Sequence, residues 1–463
     1  MRMIAEESRK WWILIAMGGV GGLIMLDETV VAVALPTMRH DLGMSDVASH
    51  WVINAYMLVF SGMAAAGGKI GDIFGFRKLV LVGLGAFGLA SLAAGFAGDG
   101  AFLITMRALQ GVGAAAIFPA TIAMVSIAFP KEERGMAIGI LAAIGTTFLA
   151  IGPMVGGFLT EIVSWHWVFW INAPVVALTA VIVLAAWVAP AREDARAAFD
   201  YGGFVSLVAG LGMLIIATMQ GAVWGWTQGV ILALLVGGIV CLALFVVIER
   251  QQVAPLIEVD LFRIAAFSAY SLVFVIGQFS KIAIVVFGAL YLQDAIHMRP
   301  LSAGLALLVA VAPFPIMSAP VGQLADKFGA RRPVLGGLAL ATLAIFLMGL
   351  VMAWDSYLLL LPGLVLWGIG MSCCYAPGMR AMTNAVPTEK QGQASGIGVT
   401  ARLLGGTVGM AICSTLFVTT RSFQVVFLVC GALMAAVLVL GWLAMPREEG
   451  DLTAQPSPPP AAG

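Results

Sequence analysis

Charged side chains set inside long apolar stretches are the residues of this sequence best placed to do chemistry. Asp27 and Glu28 interrupt the stretch that begins near Trp11, Arg107 the stretch 101–129, Lys281 the stretch 266–292, and Arg402 the stretch 393–418. A charge at the centre of a bilayer costs roughly 2.5–3.5 kcal/mol on insertion scales, so such residues are functional candidates by default. Depth follows from a helical rise of about 1.5 Å per residue. Asp27, sixteen residues past Trp11, lies ~24 Å from one end of its stretch, and Arg107 lies ~9 Å from the opposite end, nearly the same level. An acid and a base at one level can pair. The neighbouring cation favours the ionised carboxylate while burial disfavours it, which suits Asp27 to a protonation switch with Arg107 as counter-charge. A proton entering there would be driven by ~2.3 kcal/mol per 100 mV of membrane potential. A purely structural ion pair between two helices is the competing reading. Glu28 is rotated about 100° from Asp27 around a helix; it is either a second proton site or packed against a neighbouring helix near the interface.

In the second half, Lys281 falls sixteen residues beyond Ala265, at nearly the height of Asp27, with Gln278 one turn earlier. Arg402 lies near the middle of its stretch. No Asp or Glu is expected deep in a second-half stretch, since Asp294, Asp355 and Glu389 read as loop residues. Basic residues without a carboxylate suit anionic, zwitterionic or neutral amphiphilic ligands better than strongly cationic ones; an internally paired or snorkelling Lys281 is the alternative.

The elements that must position these residues follow from composition. Of 463 residues, 61% are hydrophobic and 10% charged, against roughly 25% charged in soluble globular chains. Mean hydropathy is +1.03. Such a chain lacks the polar surface for water and is an integral membrane protein; a net charge of zero, from 24 basic and 24 acidic residues, gives no hint of nucleic acid. Membrane spans are helices or closed barrels, and barrel strands alternate apolar and polar residues. Here the apolar runs are continuous, as in 79–98, 168–188, 229–248 and 334–354, and reach the ~20 residues a helix needs to cross. The fold class is all-α and polytopic. Fourteen spans are expected at about 11–35, 50–68, 79–98, 101–129, 135–160, 167–188, 202–220, 229–248, 266–292, 301–324, 334–354, 357–379, 393–418 and 423–445. The first is too long for a cleaved signal segment.

Lys and Arg locate the cytoplasmic face. Seventeen of the 24, among them Arg2, Arg9, Lys10, Lys131, Arg192, Arg196 and Arg447, fall on one side; only Arg39, Arg299 and Arg421 fall on the other. That places both termini in the cytoplasm and the chain in the cytoplasmic (inner) membrane. The Pro-rich stretch 447–463 is expected to be a disordered cytoplasmic tail. The five cysteines, all in apolar runs, read as small hydrophobes. The four histidines (His40, His50, His166, His297) read as extramembrane and scattered, and there is no P-loop, so neither a metal centre nor ATP chemistry is expected.

Gly68–Lys78 and Gly322–Arg332 both fit G-x-[IL]-[GA]-D-x-F-G-x-R-[KR], eight spans apart. Two six-helix bundles, 1–190 and 263–446, with two spans inserted between them in 191–262, would produce that offset. Duplicated halves facing a midplane site are the layout of secondary transporters.

At these residues the sequence resembles the major facilitator superfamily over nearly its whole length. Gly68–Lys78 is similar to the family's signature between helices two and three. Arg107-Ala108-Leu109-Gln110-Gly111-Val112-Gly113 resembles its fourth-helix motif, and Gly152-Pro153-Met154-Val155-Gly156-Gly157 the fifth-helix motif of its exporters. Leu26–Pro36 resembles the first-helix motif of the fourteen-helix drug:proton antiporters, with Ala32 where Asn is common; Phe76 stands where the loop signature commonly has a basic residue. The resemblance implies two six-helix bundles plus two extra helices, and no enzyme activity.

It also implies a proton-coupled antiporter, driven by the proton gradient without a cofactor, that exports amphiphilic small molecules or drugs by alternating access. A dedicated exporter or importer of a single, anionic metabolite is the alternative. The partners expected are a small-molecule substrate, protons and the bilayer, with a monomeric chain. Asp27, Arg107 and Glu28 are the proton-coupling candidates. Substrate-binding candidates are Gln110, Gln278, Lys281, Arg402, Tyr56, Phe118, Trp367 and Tyr375, although core packing suits any one aromatic of these. Asp72, Arg77, Asp326 and Arg331 are expected to gate, a carboxylate at one helix end holding the N-terminal dipole of a helix in the other half. Gly152, Pro153, Gly156 and Gly157 give span five a flat, bendable face.

Overall fold

The computed structural model describes residues 6–130, 132–188, 199–252, 255–387 and 390–446. Arg2, Lys131, Arg192, Arg196, Glu389, Arg447 and the 447–463 tail lie outside the described residues. Within them, fourteen helices are long and apolar enough to cross a membrane, and the protein is a multi-pass membrane protein.

The first half comprises α1 (Glu6–Asp41), α2 (Asp46–Phe74), α3 (Phe76–Ala94), α4 (Gly100–Ala128), α5 (Arg134–Phe158) and α6 (Trp167–Ala186). Next come α7 (Tyr201–Trp224) and α8 (Gly229–Glu249). The second half holds α9 (Ala265–Ala295), α10 (Pro300–Val311 continued by Pro313–Phe328), α11 (Arg331–Val351), α12 (Tyr357–Asn384), α13 (Gln391–Thr420) and α14 (Phe423–Ala444). Several helices start where a side chain can take a free backbone N–H. Ser45, Asp99, Asp200 and Ser422 each accept from the residue three places on.

The halves repeat each other. Helix α1 packs on α5 and α6, α2 on α4, and α3 on α4 and α6; the same neighbours recur eight helices later, α9 on α13 and α14, α10 on α12, and α11 on α12 and α14. The eight-helix offset is that of the two sequence motifs. Helix α7 packs on α8, α2 and α13, so the inserted pair leans on one seam between the halves. At the other seam α5 meets α10. Burial ranks the helices: the apolar window of α9 is 89% buried and that of α8 only 17%. The first is central and the second faces lipid.

Small residues permit the closest approach between the halves. A Cβ on Gly157 would stand 2.4 Å from the Pro300 carbonyl oxygen, and one on Gly304 2.1 Å from that of Pro153. Gly152 and Gly156 do the same within the first half, against Thr29 and the Val30 carbonyl of α1. Polar bonds across the halves gather toward the α1–α2 loop end. Arg39 donates to Asp294 at 2.8 Å, Gln293 to the Val33 carbonyl at 2.9 Å, and the Leu301 amide to Glu161 at 3.0 Å. Asp46 is shared by Arg39 and Arg421. These pairs are partly solvated, and exposed or half-exposed pairs contribute about 1 kcal/mol or less. Arg39→Ala is accordingly expected to lower transport less than fivefold, measured as initial efflux rate; a larger loss would assign Arg39 a role beyond closure.

At the α2–α3 loop end Arg77, Asp326 and Arg331 of the two loop motifs bond within their own halves. Arg77 donates to the Leu184 carbonyl, Asp326 pairs with Arg380, and Arg331 donates to the Trp442 carbonyl at 2.9 Å; Asp72 is exposed. Among the described residues, Asp326 is engaged by Arg380 of its own half. The reason is geometric: the halves are drawn together at the α1–α2 end, so the motif residues turn to partners on their own side.

Candidate functional site

Two ion pairs lie side by side at mid-depth. On α1, Asp27 faces into the first half and is 1% exposed, as is Arg107 on α4. Arg107 Nη1 donates to Asp27 Oδ2 at 2.6 Å and to Gln110 Oε1 at 3.0 Å, while its Nε donates to the Val52 carbonyl at 2.9 Å. Gln110 can help because it sits three residues on, on the same helix face. Its Nε2 donates to Ser91 Oγ at 2.9 Å; Ser91 also accepts from Asn172 Nδ2 at 2.7 Å and donates to the Phe169 carbonyl. The guanidinium lies 4.2 Å from the centre of the Tyr56 ring, a cation–π contact. Five helices of the first half therefore supply partners to one arginine and its neighbours.

The network is unevenly satisfied. Arg107 has partners besides Asp27, whereas Asp27 Oδ1 is buried without a hydrogen-bond partner. A proton arriving on Asp27 would neutralise it and leave the guanidinium still held by Val52, Gln110 and Tyr56. This arrangement can change protonation state without losing its other bonds.

Glu28, one residue on, points across to the second half. It pairs with Lys281 of α9 and accepts from Gln278 Nε2 at 3.4 Å. The Lys281 side chain is 7% exposed and that of Glu28 8%. The expected basic second half without a carboxylate is thereby corrected: α1 delivers one across the interface, which no composition of the second half could reveal. Removing one member of a buried pair costs about 3–5 kcal/mol because the other is left uncompensated. Glu28→Gln and Lys281→Ala are each expected to cut transport at least about tenfold. The exchange Glu28→Lys with Lys281→Glu should restore a good part of it, and a double variant no better than either single one would refute the coupling.

Around Lys281 the second half presents a polar and aromatic wall. Arg402 on α13 has a buried Nε, and Tyr375 on α12 a buried hydroxyl, neither with a hydrogen-bond partner. The Tyr375 ring lies parallel to Phe274, 6.2 Å between centres, and 5.7 Å from Phe314. Of the other aromatic candidates, Trp367 is fully buried and donates to Ser280 Oγ at 3.1 Å. Phe118 is 7% exposed and edge-on to Phe60. Tyr56 is fully buried beneath Arg107, and Gln110 is fully buried within the ion-pair network. These four are packed among protein side chains in this arrangement. His50, expected outside the membrane, is buried in α2 and shares a 2.7 Å hydrogen bond with Ser414 of α13. The helix starts at Asp46, which puts His50 a full turn inside. Ser91 and Asn172 were not singled out from sequence, although an Asn near the start of an otherwise apolar span was the available signal.

The sequence matches the family model of the Major Facilitator Superfamily over residues 17–202 and 269–461. The chain belongs to this superfamily. The matched segments leave between them the region that holds α7 and α8. As a major facilitator protein it is a transporter and not an enzyme. It is 33% identical over 414 residues to the puromycin resistance protein pur8 of Streptomyces alboniger, covering 88% of this chain and 82% of that one. To the methyl viologen resistance protein SmvA of Salmonella typhimurium it is 31% identical over 424 residues, covering 90% and 84%. Its fold is that of a bacterial homologue of the human lysosomal transporter Spinster, with a TM-score of 0.68 at 14% identity, covering 97% of this chain and 99% of that structure.

Proposed function

We propose that this facilitator is a proton-coupled antiporter that exports amphiphilic small molecules across the cytoplasmic membrane by alternating access. Its basic loops, and so the α2–α3 end, face the cytoplasm. The observation that carries the reading is the Asp27–Arg107 pair, buried at mid-depth with one carboxylate oxygen unpartnered. Buried polar oxygens are normally satisfied, so one left open beside a paired charge supports a proton-accepting role. Its cross-half bonds run from the mid-depth Glu28–Lys281 pair to the α1–α2 end, the pattern of a transporter open to the cytoplasm and ready to load. Relatives named for resistance to puromycin and to methyl viologen support export. Everted membrane vesicles energised by a proton gradient are expected to accumulate substrate and to release it when an uncoupler is added. Accumulation that ignores the uncoupler would refute proton coupling.

The substrate wall favours molecules with a planar or apolar body and a hydrogen-bond acceptor or anionic group. Phe274, Phe314 and Tyr375 would take the body, and Arg402 with the Tyr375 hydroxyl the acceptor. With Glu28 neutralising Lys281, Arg402 supplies the positive charge of that wall. Arg402→Gln is expected to lower resistance to acceptor-rich compounds several-fold more than to cations, read as inhibitory concentrations across a compound panel; a uniform loss would contradict this selectivity.

A further inference from the structure

The inserted pair α7–α8 carries a second buried acidic pair, remote in sequence and in the fold from Asp27. Asp200 caps the start of α7 and Glu249 ends α8, both at the α2–α3 loop end. They are 5% and 2% exposed. One oxygen of each is employed: Asp200 Oδ1 accepts from the Gly203 amide at 2.8 Å and from Gln252 Nε2 at 3.4 Å, and Glu249 Oε2 accepts from the Ile257 amide at 3.2 Å. The other oxygens, Asp200 Oδ2 and Glu249 Oε1, are buried without a partner. They converge: a Cβ on Gly203 would stand 2.3 Å from the first and 2.7 Å from the second. Only glycine leaves room for both.

Two ionised carboxylates buried this deeply beside one glycine would carry desolvation and mutual repulsion together. A metal such as calcium or magnesium wants about six or more oxygen ligands, and no group of three or more His, Cys, Asp or Glu residues is assembled for one among the described residues. A single proton needs two oxygens and turns repulsion into a short, charge-assisted O–H···O bond. We infer that Glu249 holds one exchangeable proton on Oε1, directed toward Asp200 Oδ2, forming a proton site separate from Asp27–Arg107. Lys69 of α2 is the cation whose field reaches Glu249. Arg250 and Arg263 face Asp260, and Lys390 pairs with Glu258, so those charges are matched elsewhere. The proton would bind the start of α7 to the end of α8, the two places where the inserted pair joins the six-helix halves. Its loss on alkalinisation leaves two like charges buried beside Gly203 and loosens that junction.

The test uses the full chain in nanodiscs. Infrared difference spectra between mildly acidic and alkaline samples are expected to contain a buried carboxyl C=O band that Asp200→Asn and Glu249→Gln each remove and Asp27→Asn retains. Hydrogen exchange in the wild type, corrected for the intrinsic rate, should show protection of the Gly203 and Ile257 amides falling about tenfold as pH rises through that transition. A band that survives both variants would overturn the assignment. So would amide protection that stays constant with pH, a measurement that needs no variant to fold.

Discussion

Asp27→Asn is expected to abolish proton-driven export while the protein still assembles and binds substrate. Asparagine keeps the shape and can still accept from Arg107, but it carries neither the charge nor the exchangeable proton. Arg107 retains the Val52 carbonyl, Gln110 and the Tyr56 ring, so it is not stranded. What disappears is the ion pair at 2.6 Å. The loss therefore falls on coupling: with no exchangeable proton at residue 27, uptake by energised everted vesicles is expected to drop by about two orders of magnitude, or ~3 kcal/mol, with substrate affinity in detergent changed less than fivefold. Undiminished, uncoupler-sensitive uptake would remove Asp27 from the coupling mechanism. Arg107→Lys should be almost as damaging, because an ammonium cannot serve Asp27, Gln110 and the Val52 carbonyl in one plane.

Gly304→Val should lock the transporter in the opposite arrangement. Its Cβ would sit 2.1 Å from the Pro153 carbonyl oxygen, and that of Gly157→Val 2.4 Å from the Pro300 carbonyl oxygen. Both obstacles are backbone in helices of the other half, which cannot turn aside as a side chain can. The relief available is separation of α5 from α10 at the α1–α2 end. Overpacking of this kind costs about 1–3 kcal/mol, enough to move a two-state population by roughly five- to 150-fold. Efflux should fall at least tenfold, and a cysteine placed at Gln293 should react faster with an impermeant thiol reagent from outside. Gly156→Val is the contrasting case. Its Cβ would meet the Val30 carbonyl inside the first half, so it should reduce folded yield without raising that reactivity. Gly19→Ala, with open space around its Cβ, should be silent. Wild-type efflux and reactivity in Gly304→Val would disprove a closing role for this contact.

Much of this was legible from residue type and spacing. Continuous apolar runs of helix length made the all-helical fold unavoidable, since lipid satisfies no backbone group. The repeated motif at Gly68–Lys78 and Gly322–Arg332 disclosed the doubling, and a depth count along two helices placed Asp27 and Arg107 at one level. Helix geometry is regular enough for such counting because each residue adds a fixed rise. The inserted pair announced itself in the same way, as the excess over twelve spans.

Partner choice between helices was not legible. Glu28 and Lys281 are 253 positions apart, and only the meeting of α1 with α9 makes them a pair and cancels the charge that Lys281 alone would bring. Trp367, Tyr56 and Phe118 could not be told from ligand-facing aromatics by sequence, because an apolar side chain reads alike whether it meets a substrate or another helix. Asp200 and Glu249 carry no signal in the sequence, because only the packing of α7 against α8 brings an unpartnered oxygen of each beside Gly203. Sequence by itself determined the membrane, the helices, the duplication and the depth of the charges, all of which depend on one chain segment and its solvent. Tertiary structure alone decided which charges neutralise each other, which oxygens remain without a partner and where glycine is obligatory. Those depend on how helices rotate and approach, and side chains far apart in sequence settle that together.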